Sequence, residues 1–477
     1  MVARFDLPCL GMTKVGVVSL GCPKNLVDSE VMMGWLVRDG FALTARAEDA
    51  EILIVNTCAF IDPARRESVE TILEMAQWKE RGPCRKLIVT GCLVERYGDL
   101  LRRALPEVDA ILGTRELERI VEVCREGAGK RRKRALPILS PEIASRYVES
   151  PASPRLLTTP RHTAYLKIAE GCDHSCSFCI IPRLRGPFRS RPMEVLLKEA
   201  EALAARGVRE LVLVAQDTTH YGADLGMREG LVALLRALAR IEGIRWIRFL
   251  YAYPNHVSDA LIEAVASEEK VCAYFDIPLQ HVSARLLRAM RRGGTRRSLE
   301  RLIERIRRRL PEAAVRTTFI VGFPGETERD FRELLDFCRM VEFDYAGAFL
   351  YSDEEGTAAH ALKGKVPSSV ARARQRQLLR EVERIAQRRH RRWIGRTVEV
   401  LVEGYVAAGA PRSGDRGATP LVLRGRMATQ APEIDGGVIL DAGEAERPPQ
   451  PGEFVQVEIL DVLGYDLIGR VRHENAR

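Results

Sequence analysis

AYLKIAEGCDHSCSFC, Ala164 to Cys179, runs from an apolar, strand-like segment straight into three cysteines, Cys172, Cys176 and Cys179, separated by three and then two residues. Three thiolates on so short a loop can hold three irons of a 4Fe-4S cluster and leave the fourth iron open. Structural zinc is the competing reading of the same loop. Zn2+ takes four ligands, usually from paired CxxC elements, and no such pairs are present in the sequence.

Working outward from this loop, further strands read ELVLVAQD, WIRFLYAYP, AYFDIPLQ, VRTTFIVGFPG and YAGAFLYS, with helical segments such as MEVLLKEAEALAARG and RDFRELLDFCRMV between them. Six strand-helix units predict an incomplete parallel barrel over 159–393, with its chemistry at the C-terminal strand ends. An Arg-rich helix over 372–392 ends this block. From 394 to 477, short strands between Gly and Pro clusters predict a small all-β barrel.

Upstream, 14–128 alternates KVGVVSLGC, AEILIVNTC and KLIVTGC with helical stretches, a parallel α/β pattern. Each of these three strands ends in a cysteine: Cys22, Cys58 and Cys92, 36 and 34 residues apart. Loops at the C-terminal ends of a parallel sheet share one edge, so the three thiols can converge on a second metal site. The alternative is three buried cysteines packed as small hydrophobic residues, which is also the reading for Cys84, Cys124, Cys272 and Cys338. Between the two blocks, 129–158 carries five consecutive basic residues, Lys130 to Arg134, followed by prolines. It reads as a solvated linker, with phosphate binding as the other option.

The composition is that of an ordinary globular chain: 477 residues, 46% hydrophobic and 29% charged, with 37 glycines and 24 prolines. This excludes collagenous, low-complexity and wholly disordered classes, and the length calls for two to four domains. No apolar run is long enough to cross a bilayer, and no long apolar leader segment opens the chain, so a cytoplasmic location without membrane contact is expected. Thiols stay reduced there, and spaced cysteines read as metal-binding rather than disulfide-forming. The net charge of +9 points to an acidic partner such as nucleic acid or a ribosome.

The CxxxCxxC loop resembles the radical S-adenosylmethionine (SAM) superfamily, and GFPGE, Gly322 to Glu326, is similar to a late loop of that superfamily that packs near the adenosine. With a second cysteine set upstream and a β-barrel downstream, nearly the whole chain from Lys14 resembles the methylthiotransferase family. SLGCPKNLVDSE, VNTCAFI, FCIIPRLRGPFRSRP, LVAQDTTHYG, DIPLQHVS and YSDEEGT are similar to the branch that modifies an aspartate of the twelfth small-subunit ribosomal protein. The branch that modifies tRNA adenosines typically has Gln-Met-Asn where this chain has Pro23, Lys24 and Asn25, and it stands as the alternative. About twelve residues before Thr13, including Cys9, depart from the family pattern.

The resemblance implies an α/β multidomain fold ending in a TRAM domain, two 4Fe-4S clusters held by Cys22, Cys58, Cys92 and by Cys172, Cys176, Cys179, and SAM used both to methylate a cluster-held sulfur and to generate a radical. It implies as partners the ribosomal protein, free or on the ribosome, and a reducing protein such as flavodoxin or ferredoxin. A radical suits the chemistry, because an aspartate β-carbon has neither a leaving group nor an accessible acidic proton. For SAM recognition, Gln216, Asp217 and Thr218 at a strand end are expected, together with Gly322 and Glu326; Tyr221, Gln280 and His281 rank behind them. Arg189 and Arg191 read as contacts to a substrate carboxylate, as supports behind the residues that line the site, or as surface residues of a loop. From 396 to 477 there are 9 basic and 13 acidic residues, a net −4, which predicts docking of a basic protein rather than RNA. The segment 363–395, with 11 basic and 2 acidic residues, leaves rRNA contact open. A different class of reading, an RNA-binding module with structural metal, rests on that helix and on the basic linker.

Overall fold

The computed structural model describes residues 12–126, 154–407, 421–441 and 447–472. Cys9 and the basic run Lys130–Arg134 lie outside the described residues. In the first domain β1 (Lys14–Ser19), β2 (Ala42–Thr44), β3 (Ile52–Thr57), β4 (Lys86–Gly91) and β5 (Ala110–Leu112) form a parallel sheet in the order β2-β1-β3-β4-β5. β3 and β4 are buried along their whole length, as near-continuous apolar runs require when helices cover both faces. Their order puts β1, β3 and β4 side by side, so the loops bearing Cys22, Cys58 and Cys92 leave from one edge. β2 and β5 were not among the three strands expected from sequence. At three residues each, they are too short to show a period.

The second domain contains β6 (Thr163–Lys167), β7 (Ala169–Glu170), β8 (Arg189–Ser190), β9 (Glu210–Val214), β10 (Trp246–Phe249), β11 (Tyr274–Asp276), β12 (Ala314–Val321) and β13 (Tyr345–Leu350). Two parallel sheets, β6-β9-β10 and β11-β12-β13, meet at a bridge between Ile247 and Val271, giving the six-stranded arc expected. β7 and β8 pair separately around the cysteine loop. Side chains alternate across the arc. Leu211, Leu213, Ile247, Phe249 and Val315 pack with the surrounding helices. Val212, Val214, Trp246, Tyr274 and Tyr345 belong instead to one buried cluster with Val31 and Trp35 of the helix Pro23–Arg38 and with Leu401 and Ala431 of the last domain. The open side of the arc is therefore plugged by its neighbours.

The chain reaches the arc by crossing that helix. A Cβ on Gly34 would lie 2.2 Å from the Pro154 carbonyl oxygen, so only glycine permits the crossing. Glu30 then holds the arriving segment through Arg155 (2.6 Å) and the Thr158 amide (2.7 Å).

The last domain is a closed barrel of β14 (Thr397–Ala407), β15 (Leu421–Met427), β16 (Val438–Asp441), β17 (Phe454–Leu463) and β18 (Asp466–Val471) in the order β14-β15-β16-β18-β17. It docks on the arc through buried charges. Glu210 accepts from Arg426 at 2.6 Å and Arg248 at 3.2 Å, and Tyr274 donates to Asp435 at 2.6 Å. Among the described residues no helix is long and apolar enough to cross a membrane.

Candidate functional site

Turns at three adjacent strand ends, two of them made by Gly21 and Gly91, bring the first cysteine set together. Cys22 sits in extended conformation at the N-terminus of the helix Pro23–Arg38, with proline in the first turn, where a missing N–H costs nothing. Gly21 before it has φ +89°, and a Cβ there would stand 2.8 Å from the Cys58 Cβ. Cys58 follows β3, and its amide donates to Ser68 Oγ at 3.1 Å. Cys92 opens the helix Cys92–Ala104 directly after β4. Burial alone raises all three thiols. Cys92 is pushed up to about 12 despite Arg185, whereas at Cys22 the cations Lys24 and Arg185, together with the Asn25 and Lys24 backbone N–H groups, outweigh burial and hold the thiol below its ordinary value. A cationic wall suits thiolates, the form that binds metal.

Arg185 comes from the second domain. It donates to Asp28 at 2.8 Å, to Glu170 at 3.2 Å and to Asn25, while Lys167 pairs with Asp28 and, at 2.8 Å, with Glu170. All of these groups are buried, so each charge requires its partner. Lys24 lies 3.6 Å over the Tyr251 ring. On another side Glu354, 2% exposed, receives Arg65 and Arg96 of the first domain. Arg96 also donates to the Ala59 carbonyl beside Cys58.

The second set lies one residue beyond this network. Gly186 follows Arg185 and accepts the Cys172 amide at 3.1 Å. Gly171, φ +79°, lets the loop pass where a Cβ would come within 2.0 Å of the Pro187 oxygen. The Cys179 amide donates to the Cys176 carbonyl at 3.1 Å. Ser177 between them donates its amide to Met290 (2.9 Å) and its hydroxyl to Ala289 (2.8 Å). Arg292 Nη1 approaches Cys176 Sγ at 3.7 Å. Burial pushes Cys172 up to about 11 and Cys179 up to about 12, so both are thiols until metal displaces their protons. Neither cysteine set is among the described groups whose ligand atoms lie within 4.8 Å of one another, as ligands of a single ion do. A cluster, whose cysteines sit on different irons, fits this wider spacing better than one zinc.

The residues expected to recognise SAM divide in two. Asp217 is buried and takes His174 Nε2 at 2.7 Å and His256 Nδ1 at 3.2 Å; these bonds outweigh burial and hold its carboxyl well below the usual range. Asp217 thus acts through the rings beside the cysteine loop, where His174 also stacks on Tyr253 at 4.0 Å. Gln216 is half-buried, bonds Glu170 through Nε2 and keeps Oε1 unpartnered, an acceptor available to a ligand donor. Thr218 is occupied with the Leu250 carbonyl at 2.7 Å and Tyr221 with the Arg191 carbonyl at 2.9 Å, both buried.

Gly322 has φ +78° and donates its amide to Glu326, whose other oxygen is unpartnered and lies 3.9 Å from His281 Nε2. His281 is fully buried, and its Nδ1 accepts the Val282 and Ser283 amides, so it orders its own turn. Gln280, φ +69°, joins β12 through its backbone. Arg189 is half-buried in β8. Arg191 is not a surface residue: it is buried, donates to the Lys167 carbonyl and pairs with Glu199 at 2.7 Å, a supporting position behind the Lys167 network. Cys84, Cys124, Cys272 and Cys338 are buried, as expected of structural cysteines.

Sequence reading missed the charged lining. Lys167 and Glu170 were detectable as charges three apart inside an apolar strand, and His174 as a histidine within the cysteine loop. Arg185, Arg96 and Glu354 gave no such signal.

Comparison with known proteins agrees with this architecture. Residues 14–113 match the uncharacterized protein family UPF0004, 166–338 the radical SAM superfamily and 394–471 the TRAM domain. The radical SAM methyltransferase TsrM from Kitasatospora setae, solved with tryptophan substrate and a SAM analog, shares the fold, with TM-score 0.55 at 14% identity over 78% of this chain and 89% of that one. The ribosomal protein uS12 methylthiotransferase RimO of Solibacter usitatus is 49% identical over 96% of this chain and 94% of its own length. That of Geobacter sulfurreducens is 47% identical over 96% and 98%. With three matching domains in this order and near-half identity end to end, the chain belongs to the RimO family of radical SAM methylthiotransferases.

Proposed function

We propose that this chain adds a methylthio group to the β-carbon of an aspartate in ribosomal protein uS12. The observation that carries the reading is the pairing of two three-cysteine sets across one residue step, with Arg185 facing Cys22, Cys58 and Cys92 and Gly186 holding Cys172. Two 4Fe-4S clusters and SAM, when bound, supply a held sulfur, a methyl group and a hydrogen-abstracting radical. The chain's own residues set the geometry. Cys22, Cys58 and Cys92 would hold the sulfur-bearing cluster, and Cys172, Cys176 and Cys179 the cluster that binds SAM. Gln216 offers Oε1 to the cofactor, Asp217 aligns His174 and His256, and Glu326 fixes the turn that begins at Gly322.

Substrate choice follows the charge pattern. The C-terminal barrel, at net −4, favours a basic ribosomal protein over a phosphate backbone. Along the helix Ser368–His390, Arg372, Arg376, Arg380 and Arg384 are exposed at four-residue spacing, one face on which rRNA could lie while uS12 is presented. A reducing protein such as flavodoxin or ferredoxin would supply electrons.

The test is mass spectrometry after incubating the reconstituted protein with SAM, reductant and either small ribosomal subunits or tRNA. Methylthio-aspartate in uS12 with unmodified tRNA is expected. Methylthio-adenosine in tRNA with unmodified uS12 would refute the assignment.

A further inference from the structure

Between Arg285 and Arg297 the chain carries six arginines and no acidic residue. This run packs directly on the second cysteine loop. The carbonyls that receive the Ser177 hydroxyl and amide belong to Ala289 and Met290, which immediately follow Arg288 and precede Arg291. Arg292 points inward to Cys176, to the Pro278 carbonyl and to the Tyr253 ring at 4.3 Å. Arg285 is tied to Asp330 and Arg296 to Glu300. Arg288, Arg291 and Arg297 are exposed and have no acidic partner among the described residues.

Arg291 also has φ +53°, just past the end of the helix Ala284–Ala289. That position usually takes glycine, because a side chain there is strained. Arg288 and Arg291 bracket the two residues that hold Ser177, the neighbour of Cys176, and Arg297 adds a third uncompensated cation further along the same run; Cys176 itself is half-buried where Cys172 is buried.

We propose that this arginine face is where an acidic one-electron carrier protein docks to reduce the cluster held by Cys172, Cys176 and Cys179. The proposal rests on the radical SAM reading above. One electron from the reduced carrier would take the cluster from its 2+ to its 1+ state, and passing that electron on to SAM would return the cluster to 2+ as the sulfur–C5′ bond breaks.

Charge selects this occupant. An acidic carrier is steered to a basic face, whereas uS12, itself basic as an rRNA-binding protein, is repelled. Position favours a carrier over RNA, since the loop holding the cluster hydrogen-bonds to this very segment.

The experiment compares the holoprotein with an R288E/R291E/R297E variant, measuring 5′-deoxyadenosine formation driven by flavodoxin hydroquinone or by dithionite, which needs no docking. Flavodoxin-driven turnover at low salt should fall about tenfold or more and lose its salt dependence, while dithionite-driven turnover stays within twofold of the parent. Unchanged flavodoxin-driven turnover would overturn the proposal. So would an equal loss with both reductants, which marks a structural role, or a loss of ribosomal-subunit binding with flavodoxin turnover intact, which marks an RNA contact. A parent protein that forms no 5′-deoxyadenosine even with dithionite would overturn the radical reading itself.

Discussion

Glu210 sits at the foot of β9 with no exposure, facing two arginines, Arg426 of the C-terminal barrel and Arg248 of β10. Burial alone would raise its carboxyl, yet Arg426 and then Arg248 outweigh burial and hold it at about 2, against an ordinary value of 4.5. A difference of about 2.5 units corresponds to about 3 kcal/mol favouring the charged form in the folded state. Breaking one side of a buried pair has a similar cost, about 3–5 kcal/mol.

Glu210→Gln keeps the shape and removes the charge, so it should weaken docking of the barrel by about 3 kcal/mol, or roughly 100-fold in the undocking equilibrium. The Ala431 amide, buried at the interface and bonded to Asp435, reports this as hydrogen exchange about 100-fold faster at neutral pH. The pH dependence has a definite sign. Because the folded-state carboxyl is depressed, its contribution is complete above about pH 4.5 and disappears as pH falls toward about 2. Emission from Trp246, edge-on to Phe454 across the interface at 4.9 Å, should show that acid step in the parent and lack it in the variant. Exchange in the variant within threefold of the parent would refute the argument that this ion pair fastens the barrel.

Iron and sulfide in reconstituted protein should approach about eight each per chain, and C172A/C176A/C179A should retain about half; a parent that never exceeds four would eliminate the second cluster. Cys92→Ala should abolish methylthio transfer while 5′-deoxyadenosine still forms, and undiminished product would remove the first cysteine set from the chemistry. At Asp435 burial outweighs Arg316 and raises the carboxyl to about 6, so its contribution to docking falls as pH rises from about 4 to about 6. Asp435→Asn should flatten Trp246 emission over that interval, and an unchanged slope would show that another group titrates there.

The three-domain order and both cysteine sets were legible because each rests on local pattern. β-branched runs mark the parallel strands, and a cysteine at the end of a strand has only one sheet edge to occupy. β2 and β5 escaped because three residues carry no period. The helix after Cys22 starts directly at Pro23, because proline is preorganised for a first turn. Arg191 stayed open between an inner and a surface position for a different reason. Arginine is usually exposed, and only tertiary contact with Glu199 shows that this one is core.

The lining of the site was illegible on the same grounds, and its partners explain why. Asp28 and Arg185 are 157 positions apart, Asn25 and Arg185 160, and Arg65 and Glu354 289. No window of sequence contains both members of such a pair, and each charge read singly is an ordinary surface residue. Brought together, they make the contact between the first two domains ionic as well as apolar. Apolar packing tolerates sliding, whereas a guanidinium fixed by Asn25, Asp28 and Glu170 together admits one registration. Since the same guanidinium faces Cys22 and Cys92, and the next residue holds the Cys172 amide, that registration also sets the separation of the two cysteine sets. A reaction that must bring a held sulfur and a short-lived radical to one carbon needs that separation fixed before substrate arrives.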